Sequence, residues 1–290
     1  MNTTKRARLS LILSMVSFGT LAPFVRHINL SSGELALYRA VLAALLIGSF
    51  LLATKQKIAF RNLKKELYLL LFSGVAMGFN WILLFEAYKY TTVAIATLSY
   101  YFAPVIVTLV CPLLFREKLT KKQILCFLMS TVGLSLVIGV TNPVNGGNNA
   151  AGIAFGLGAA CLYATVILLN KFIKGVTGIH RTFLQFLAAI TVLIPYVLFT
   201  GGMHPENLDT VGWVCLLIVG LFHTGITYCL YFTSLKDLSG QEAAILSYVD
   251  PLVAVVIGVL LLQEPISTQQ LVGGALILGF TLLNELEIGA

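Results

Sequence analysis

Ten apolar segments of about 20 residues, separated by short polar loops, constrain this chain more than any other feature. Each has the length that an α-helix needs to cross a bilayer core about 30 Å thick. Of the 290 residues, 58% are hydrophobic and 11% charged, whereas a soluble domain carries about a quarter charged residues. We therefore predict an all-α polytopic membrane protein with ten transmembrane helices. In chain order, spans 1 to 10 are predicted at residues 9–28, 33–53, 67–87, 93–115, 121–140, 151–172, 180–199, 210–232, 240–262 and 268–286.

The nineteen Lys and Arg residues are distributed unevenly between the two sides of these spans. The basic residues of the N-terminus and of alternate loops share one side, and only Arg26 and Lys89 lie near the opposite side. Positive charge marks the cytoplasmic ends of short loops, so we predict a multi-pass protein of the plasma (bacterial inner) membrane with both termini cytoplasmic. Because orientation accounts for the net charge of +7, that charge does not indicate nucleic-acid binding.

The chain repeats itself with a shift of 147 residues. Pro104 aligns with Pro251 and Glu117 with Glu264, within the similar phrases FREKLTKKQ and LQEPISTQQ. The Leu-Ser-Tyr triplets before the two prolines align only at a shift of 148, so the repeat contains small gaps. One position differs in a way that matters: Ala103 precedes the first proline, and an acid, Asp250, precedes the second.

Each half of the chain, 1–145 and 146–290, contains five predicted spans. Because five is odd, the second half enters the membrane in the opposite sense to the first. Such inverted repeats are common in secondary transporters, where the substrate site lies near the midplane between the repeats. Channels and membrane enzymes also contain repeats, so the topology favours a carrier without excluding those classes.

The stretches PVIVTLVCPLLFREKLT at 104–120 and DPLVAVVIGVLLLQEPIS at 250–267 resemble the EamA branch of the drug/metabolite transporter (DMT) superfamily. The resemblance covers essentially the whole chain. It implies export of amino acids or other small metabolites through a central cavity lined by spans 1, 3, 4, 6, 8 and 9, with spans 5 and 10 peripheral. In that family an acid before the second proline is frequent whatever the substrate, which favours a general role for it. The two motifs are specific for the family and do not indicate the substrate.

Asp250 is the most informative candidate site residue. It lies ten residues into span 9, roughly 15 Å from the start of the helix and therefore near the midplane. A charge at that depth costs at least about 2.5 kcal/mol. Pro251, like Pro104 in span 4, lacks an N–H and is predicted to break the helix. We predict that Asp250 binds a substrate cation, a coupling proton or both; the alternative is a structural carboxylate bonded to hydroxyls or to Arg39.

Further polar and aromatic residues are predicted at similar depths. His223 titrates near neutrality, although a packing role is an equal alternative, and of Asn80 and Trp81 only one need line the cavity because they lie on different faces. Tyrosine rings attract organic cations, but packing explains at least half of such residues. The tyrosines that we predict in the substrate site are Tyr100, Tyr101, Tyr163 and Tyr248.

Four charged residues lie in the outer half of the first repeat. We predict a gate or ion pair that involves Arg39 and Glu86, and snorkelling toward water for Arg26 and Lys89. Elsewhere, the adjacent glycines Gly273 and Gly274 permit close helix packing in span 10. This leaves monomer and homodimer open.

No sequence motif for catalysis, ATP binding or metal binding occurs, and the five cysteines lie inside apolar runs. We therefore predict neither enzyme activity nor a cofactor or metal. The leading hypothesis is a secondary transporter that exports amino acids or related compounds by alternating access, with lipid and protons as further partners. The alternative is an importer or exchanger of an organic cation, such as a quaternary amine, held in an aromatic cage.

Overall fold

A computed structural model describes residues 3–56, 60–115, 120–138, 148–176, 178–234, 237–238 and 246–285. Glu117 of the repeated motif lies outside these residues. All regular structure in the described residues is helical. We label the α-helices as follows: α1 Thr3–Gly19, α2 Leu21–Val25, α3 Ser32–Ala53, α4 Phe60–Tyr90, α5 Val93–Tyr100, α6 Ala103–Phe115, α7 Lys121–Ile138, α8 Asn149–Phe172, α9 Gly178–Thr200, α10 Thr210–Leu217, α11 Thr227–Ser234, α12 Val249–Leu260 and α13 Thr268–Glu285.

Six helical segments of the described residues are long and apolar enough to cross a membrane. They correspond to predicted spans 1, 2, 3, 6, 7 and 8, whereas predicted spans 4, 9 and 10 contain shorter apolar helices. Span 4 is divided between α5 and α6. Of span 9, the structure describes residues 246–262, which contain α12. The six segments are Thr4–Val25, Ser32–Ala53, Glu66–Tyr90, Asn149–Phe172, Gly178–Thr200 and Thr210–Ser234.

Polar residues in the loops set where several helices begin. Ser31 caps α3 in a capping box, in which its hydroxyl accepts from the Glu34 N–H and the Glu34 carboxylate accepts from the Ser31 N–H. Thr92 accepts from the Ile95 N–H at the start of α5, and Asp209 accepts from the Gly212 N–H at the start of α10. These side chains satisfy N–H groups that have no partner within the helix, so the short loops specify the helix starts.

Glycine allows α7 and α13, which correspond to spans 5 and 10, to pack closely on each other. A Cβ atom at Gly133 would lie 2.6 Å from the Gly273 carbonyl oxygen, and one at Gly273 would lie 2.5 Å from that of Gly133. Small residues permit such backbone contacts within a membrane. The Gly273 surface is thus used for packing within the chain.

The two halves of the chain interleave. Helix α1 of the first half packs on α12 of the second, and α8 of the second half packs on α5 and α6 of the first. A glycine lies at each contact: a Cβ at Gly19 would lie 2.7 Å from the Asp250 carbonyl oxygen, and one at Gly156 would lie 2.9 Å from Ser99 Cβ. The cavity described below is therefore built from both halves.

Candidate functional site

The helix breaks before Pro104 and Pro251 place the central residues. Tyr101 ends α5 with φ −71° and ψ 5°, and Tyr248 precedes α12 with φ −71° and ψ −9°. In each case a new helix begins with the proline in its first turn, where the missing N–H has no intrahelical partner to lose. Tyr101 and Tyr248 are 147 positions apart, so the breaks follow the register of the prolines and not that of the Leu-Ser-Tyr triplets.

Asp250 is held by a tyrosine from the other half of the chain. The Tyr101 hydroxyl donates to Asp250 Oδ2 at 2.6 Å. Among the described residues, no cation lies within ion-pair distance of Asp250. Of the two partners considered from sequence, the structure has a hydroxyl and not Arg39.

Two adjoining cavities meet at Asp250. The smaller has a volume of about 120 Å³ and also contacts Arg39 and Trp81. The larger has a volume of about 270 Å³ and extends to Asn170 near the C-terminal end of α8 and to Arg181 near the N-terminal end of α9. The residues that line both cavities are Phe18, Tyr101, Tyr163, Tyr228 and Asp250.

Aromatic rings form much of the wall. Tyr100 stacks on Tyr163 with ring centroids 5.3 Å apart and meets Tyr101 edge to face at 5.9 Å. Tyr248 lines a third space of about 130 Å³ together with the same three tyrosines. All four tyrosines predicted from sequence thus lie next to these cavities, and Tyr228 joins them.

Arg39 is 4% exposed and lies against neutral groups. Its Nε donates to Thr224 Oγ1 at 2.7 Å, and its Cζ lies 4.8 Å from the Trp81 ring centroid and 5.5 Å from that of Phe85. The expected ion pair is absent among the described residues: Glu86 instead pairs with Lys89 at 3.1 Å, with side chains 26% and 48% exposed, respectively. Thr224 and the Trp81 and Phe85 rings surround the guanidinium, and no carboxylate of the described residues lies within ion-pair distance of it.

The side chains of Asn80 and Trp81 point in different directions, as expected for adjacent residues of a helix. Trp81 lines the smaller cavity. Asn80 points away from it and donates from Nδ2 to the Ala159 carbonyl oxygen at 2.6 Å, which ties α4 to α8. The amide therefore has a packing role, and only the indole contributes to the cavity wall.

His223 lies within a π-helical segment, Ile218–Ile226, that joins α10 to α11. Its Nε2 lies 3.2 Å from Thr20 Oγ1, its Nδ1 lies 3.3 Å from the Ile218 carbonyl oxygen, and it lines neither of the two adjoining cavities. The wider turn places its ring against Phe24, with centroids 5.0 Å apart. The structure therefore corresponds to the packing alternative for this residue.

An ion pair links the two halves at the end of the bundle opposite the start of α1. Arg26 donates to Glu264, whose carboxylate also accepts from the Val93 N–H at 2.8 Å. This differs from the snorkelling expected for Arg26, because the loop after α12 folds back over the start of α5. Burial raises the pKa of the Glu264 carboxyl above its ordinary value, and Arg26 and the Val93 N–H oppose that effect. The recurrence of this acid in the repeat was the signal that could have identified it.

Comparison with known proteins gives the family. The sequence model of the EamA-like transporter family matches residues 5–139 and again residues 150–285. The chain is 34% identical over 256 residues to the "Uncharacterized transporter YxxF" of Bacillus subtilis, covering 87% of this chain and 80% of that one. It is 23% identical to the "Uncharacterized inner membrane transporter YicL" of Salmonella typhimurium, over 99% and 97% of the two chains.

A solved crystal structure shares the fold, with a TM-score of 0.65 and 15% identity over 98% of both chains. The family match and the apolar helices together identify the protein as a multi-pass membrane transporter. Matched by the family along both halves, it belongs to the EamA-like transporter family.

Proposed function

We propose that this protein exports small amine-bearing metabolites, amino acids among them, by alternating access. The observation that carries the proposal is the Asp250 carboxylate, hydrogen-bonded to Tyr101 at the junction of two tyrosine-lined cavities. A carboxylate among aromatic faces suits an ammonium group, because ion pairing and cation–π attraction act on the same charge. Asp250 and Tyr101 both lie inside the helical bundle and are partly exposed to these cavities.

Ten spans in a 5+5 inverted repeat provide the frame for this mechanism. Three observations support the arrangement: equivalent backbone breaks 147 residues apart, two successive matches to the family, and interleaved halves. Substrate sites near the midplane between broken helices are the usual site architecture of such carriers. The residues before Pro104 and Pro251 would then be where the helices bend.

The two ends of the cavity differ, which supports alternating access. At one end the larger cavity reaches Asn170 and Arg181. At the other, the Arg26–Glu264 ion pair joins the halves beside a separate cavity of about 500 Å³. With the N-terminus in the cytoplasm, as the basic loops predict, the Asn170 and Arg181 end of the larger cavity would face the inside. Export begins with entry of a cytoplasmic solute at the Arg181 end and requires the Arg26–Glu264 pair to separate for release.

Protons are a suitable coupling ion because the same carboxylate would accept either a proton or an ammonium group. Competition of this kind links substrate release to protonation. The organic-cation alternative also has a supporting observation, since Tyr100, Tyr163 and Tyr228 surround the smaller cavity with aromatic faces. Transport direction separates the two: accelerated release from cells that contain a labelled amino acid supports export, and accelerated uptake of a quaternary amine supports import.

Counterflow in proteoliposomes tests the proposal. Vesicles containing the purified protein and unlabelled alanine, leucine or phenylalanine should accumulate the labelled amino acid with saturable kinetics. Asp250→Asn should lose this exchange and its dependence on pH, whereas Glu206→Gln, which removes an exposed loop carboxylate, should retain both. Large ionic conductance without exchange would establish a channel and overturn the proposal.

A further inference from the structure

We propose that Arg39 binds the carboxylate of the substrate while Asp250 binds its amine, so that the transporter selects zwitterions over simple amines. The inference rests on the amine site proposed above and adds a second anchor to it. Both residues line the smaller cavity, one from α3 in the first half and one from α12 in the second. A solute with both charges would contact both halves at once.

Each of these two charges is held by a neutral hydroxyl in place of an opposite charge. Arg39 Nε donates to Thr224, and Asp250 accepts from Tyr101. In the described part of the chain, neither residue forms an ion pair. The cavity therefore contains one cation and one anion that do not neutralise each other, which is the charge pattern complementary to a zwitterion.

The Arg39 guanidinium is held in one orientation while its two Nη groups remain available as donors. Thr224 occupies only Nε, and the Trp81 and Phe85 rings lie near the guanidinium carbon, at 4.8 Å and 5.5 Å from their centroids. The two Nη groups form no hydrogen bond to any described residue. A planar guanidinium fixed in this way presents two N–H donors in the geometry that a carboxylate accepts.

Thr224 contributes by positioning. It belongs to the π-helical segment, and its hydroxyl also donates to the Val219 carbonyl oxygen at 2.8 Å. The Thr224 oxygen thus accepts from Arg39 in a fixed direction, because its own proton is committed to the backbone. The widened turn of span 8, which has no sequence motif, orients the guanidinium in span 2.

The test uses matched ligands that differ by one charge. Purified protein is titrated with leucine, with 3-methylbutylamine, which lacks the carboxylate, and with 4-methylpentanoate, which lacks the amine. Alanine with ethylamine and phenylalanine with 2-phenylethylamine extend the series to other sizes. We expect at least one amino acid to bind about tenfold or more tightly than its amine, because a bidentate charge-assisted contact is lost with the carboxylate.

Variants locate the effect. Arg39→Gln should weaken amino-acid binding about tenfold or more while the matched amine keeps its affinity within about twofold. Arg39→Lys keeps the charge but loses the planar fork, so its affinity for the amino acid should lie between those of the unaltered protein and Arg39→Gln. It replaces Arg39→Gln in the test if that variant does not fold. Arg6→Gln, an exposed arginine in the N-terminal turn, is the matched control and should leave both ligands unaffected.

The outcomes separate this assignment from the amine site. If the unaltered protein binds amines as tightly as their amino acids, or if Arg39→Gln weakens both equally, Arg39 is a structural link between α3 and the π-helical segment and the inference is wrong, while amine transport stands. If no amine or amino acid in the series binds, or Asp250→Asn leaves binding intact, the proposed amine site itself fails.

Discussion

The two proline-associated breaks have nearly the same backbone and opposite chemistry. Ala103, at the first, is fully buried in a cluster with Ala160 and Ala164. Asp250, at the equivalent position of the second, lines both cavities and accepts from Tyr101. The comparison teaches that the repeat reproduces the bend while the site depends on where the copies diverge.

The largest expected effect comes from exchanging the two side chains. Asp250→Asn should reduce amino-acid counterflow roughly 30-fold or more, because truncating one partner of a desolvated charge contact costs about 2 kcal/mol or more. Ala103→Asp should destabilise the protein by at least about 2.5 kcal/mol, because its charge would lie in an apolar cluster at membrane depth. Counterflow and thermal unfolding in detergent measure the two effects.

The double variant Ala103→Asp/Asp250→Asn tests whether the two positions are functionally different. If Ala103→Asp folds normally and restores counterflow to Asp250→Asn, the two positions are functionally equivalent and the asymmetry has no role. Ala103→Ser, which is small and uncharged, is the control for added volume at the first break.

The next effect concerns the glycine that packs on each break. Gly19→Val should destabilise the protein by about 1–3 kcal/mol through overpacking, because its Cβ would lie 2.7 Å from both the Asp250 carbonyl oxygen and Val253 Cβ. Gly156→Val should cost less, since its nearest neighbours lie at 2.9 Å and 3.2 Å. Unfolding temperatures show which variant is destabilised more. Equal losses of stability would show that the two contacts tolerate an added side chain equally well.

A smaller effect distinguishes the two break tyrosines. Tyr101→Phe should raise the KM of counterflow about tenfold, because the Asp250 carboxylate loses the hydroxyl that orients it, a charge-assisted hydrogen bond worth about 1.5 kcal/mol. Tyr248→Phe should change KM by less than about twofold, since Tyr248 lies outside the two cavities that meet at Asp250. A larger effect of Tyr248 would place the substrate nearer the second break.

The smallest effect is a pH control remote from both breaks. In the loop after α9, the hydrogen bond to Glu206 raises the pKa of His204 above its ordinary value. A raised pKa in the folded state stabilises the protein below the unfolded pKa of about 6.5, and this contribution is lost as pH rises through the folded value. His204→Gln should remove this slight pH dependence of unfolding temperature and leave the pH dependence of counterflow intact.

Several features were accessible from sequence because they depend on local chemistry. Hydropathy indicated a multi-pass helical protein, proline located both breaks, and the cost of a buried charge singled out Asp250. Tyr101 and Tyr163 line both cavities that meet at Asp250, and Tyr100 lines the smaller of them. Tyr248 lines the adjoining third space. Only six of the ten predicted spans have the length and hydropathy of spanning helices in the described residues. Spans 4 and 9 contain helix breaks, so shorter helices represent them there.

The sequence by itself determined the class of protein, the positions of the two bends and the presence of an acid within an apolar segment, because these follow from residues close together in the chain. Only the tertiary structure decided the partners. Asp250 and Tyr101 are 149 positions apart, and Arg39 and Thr224 are 185 apart. No local pattern specifies which of several hydroxyls contacts a given charge, because that depends on how the two halves interleave. In this fold Arg39 and Asp250 line one cavity but do not pair with each other.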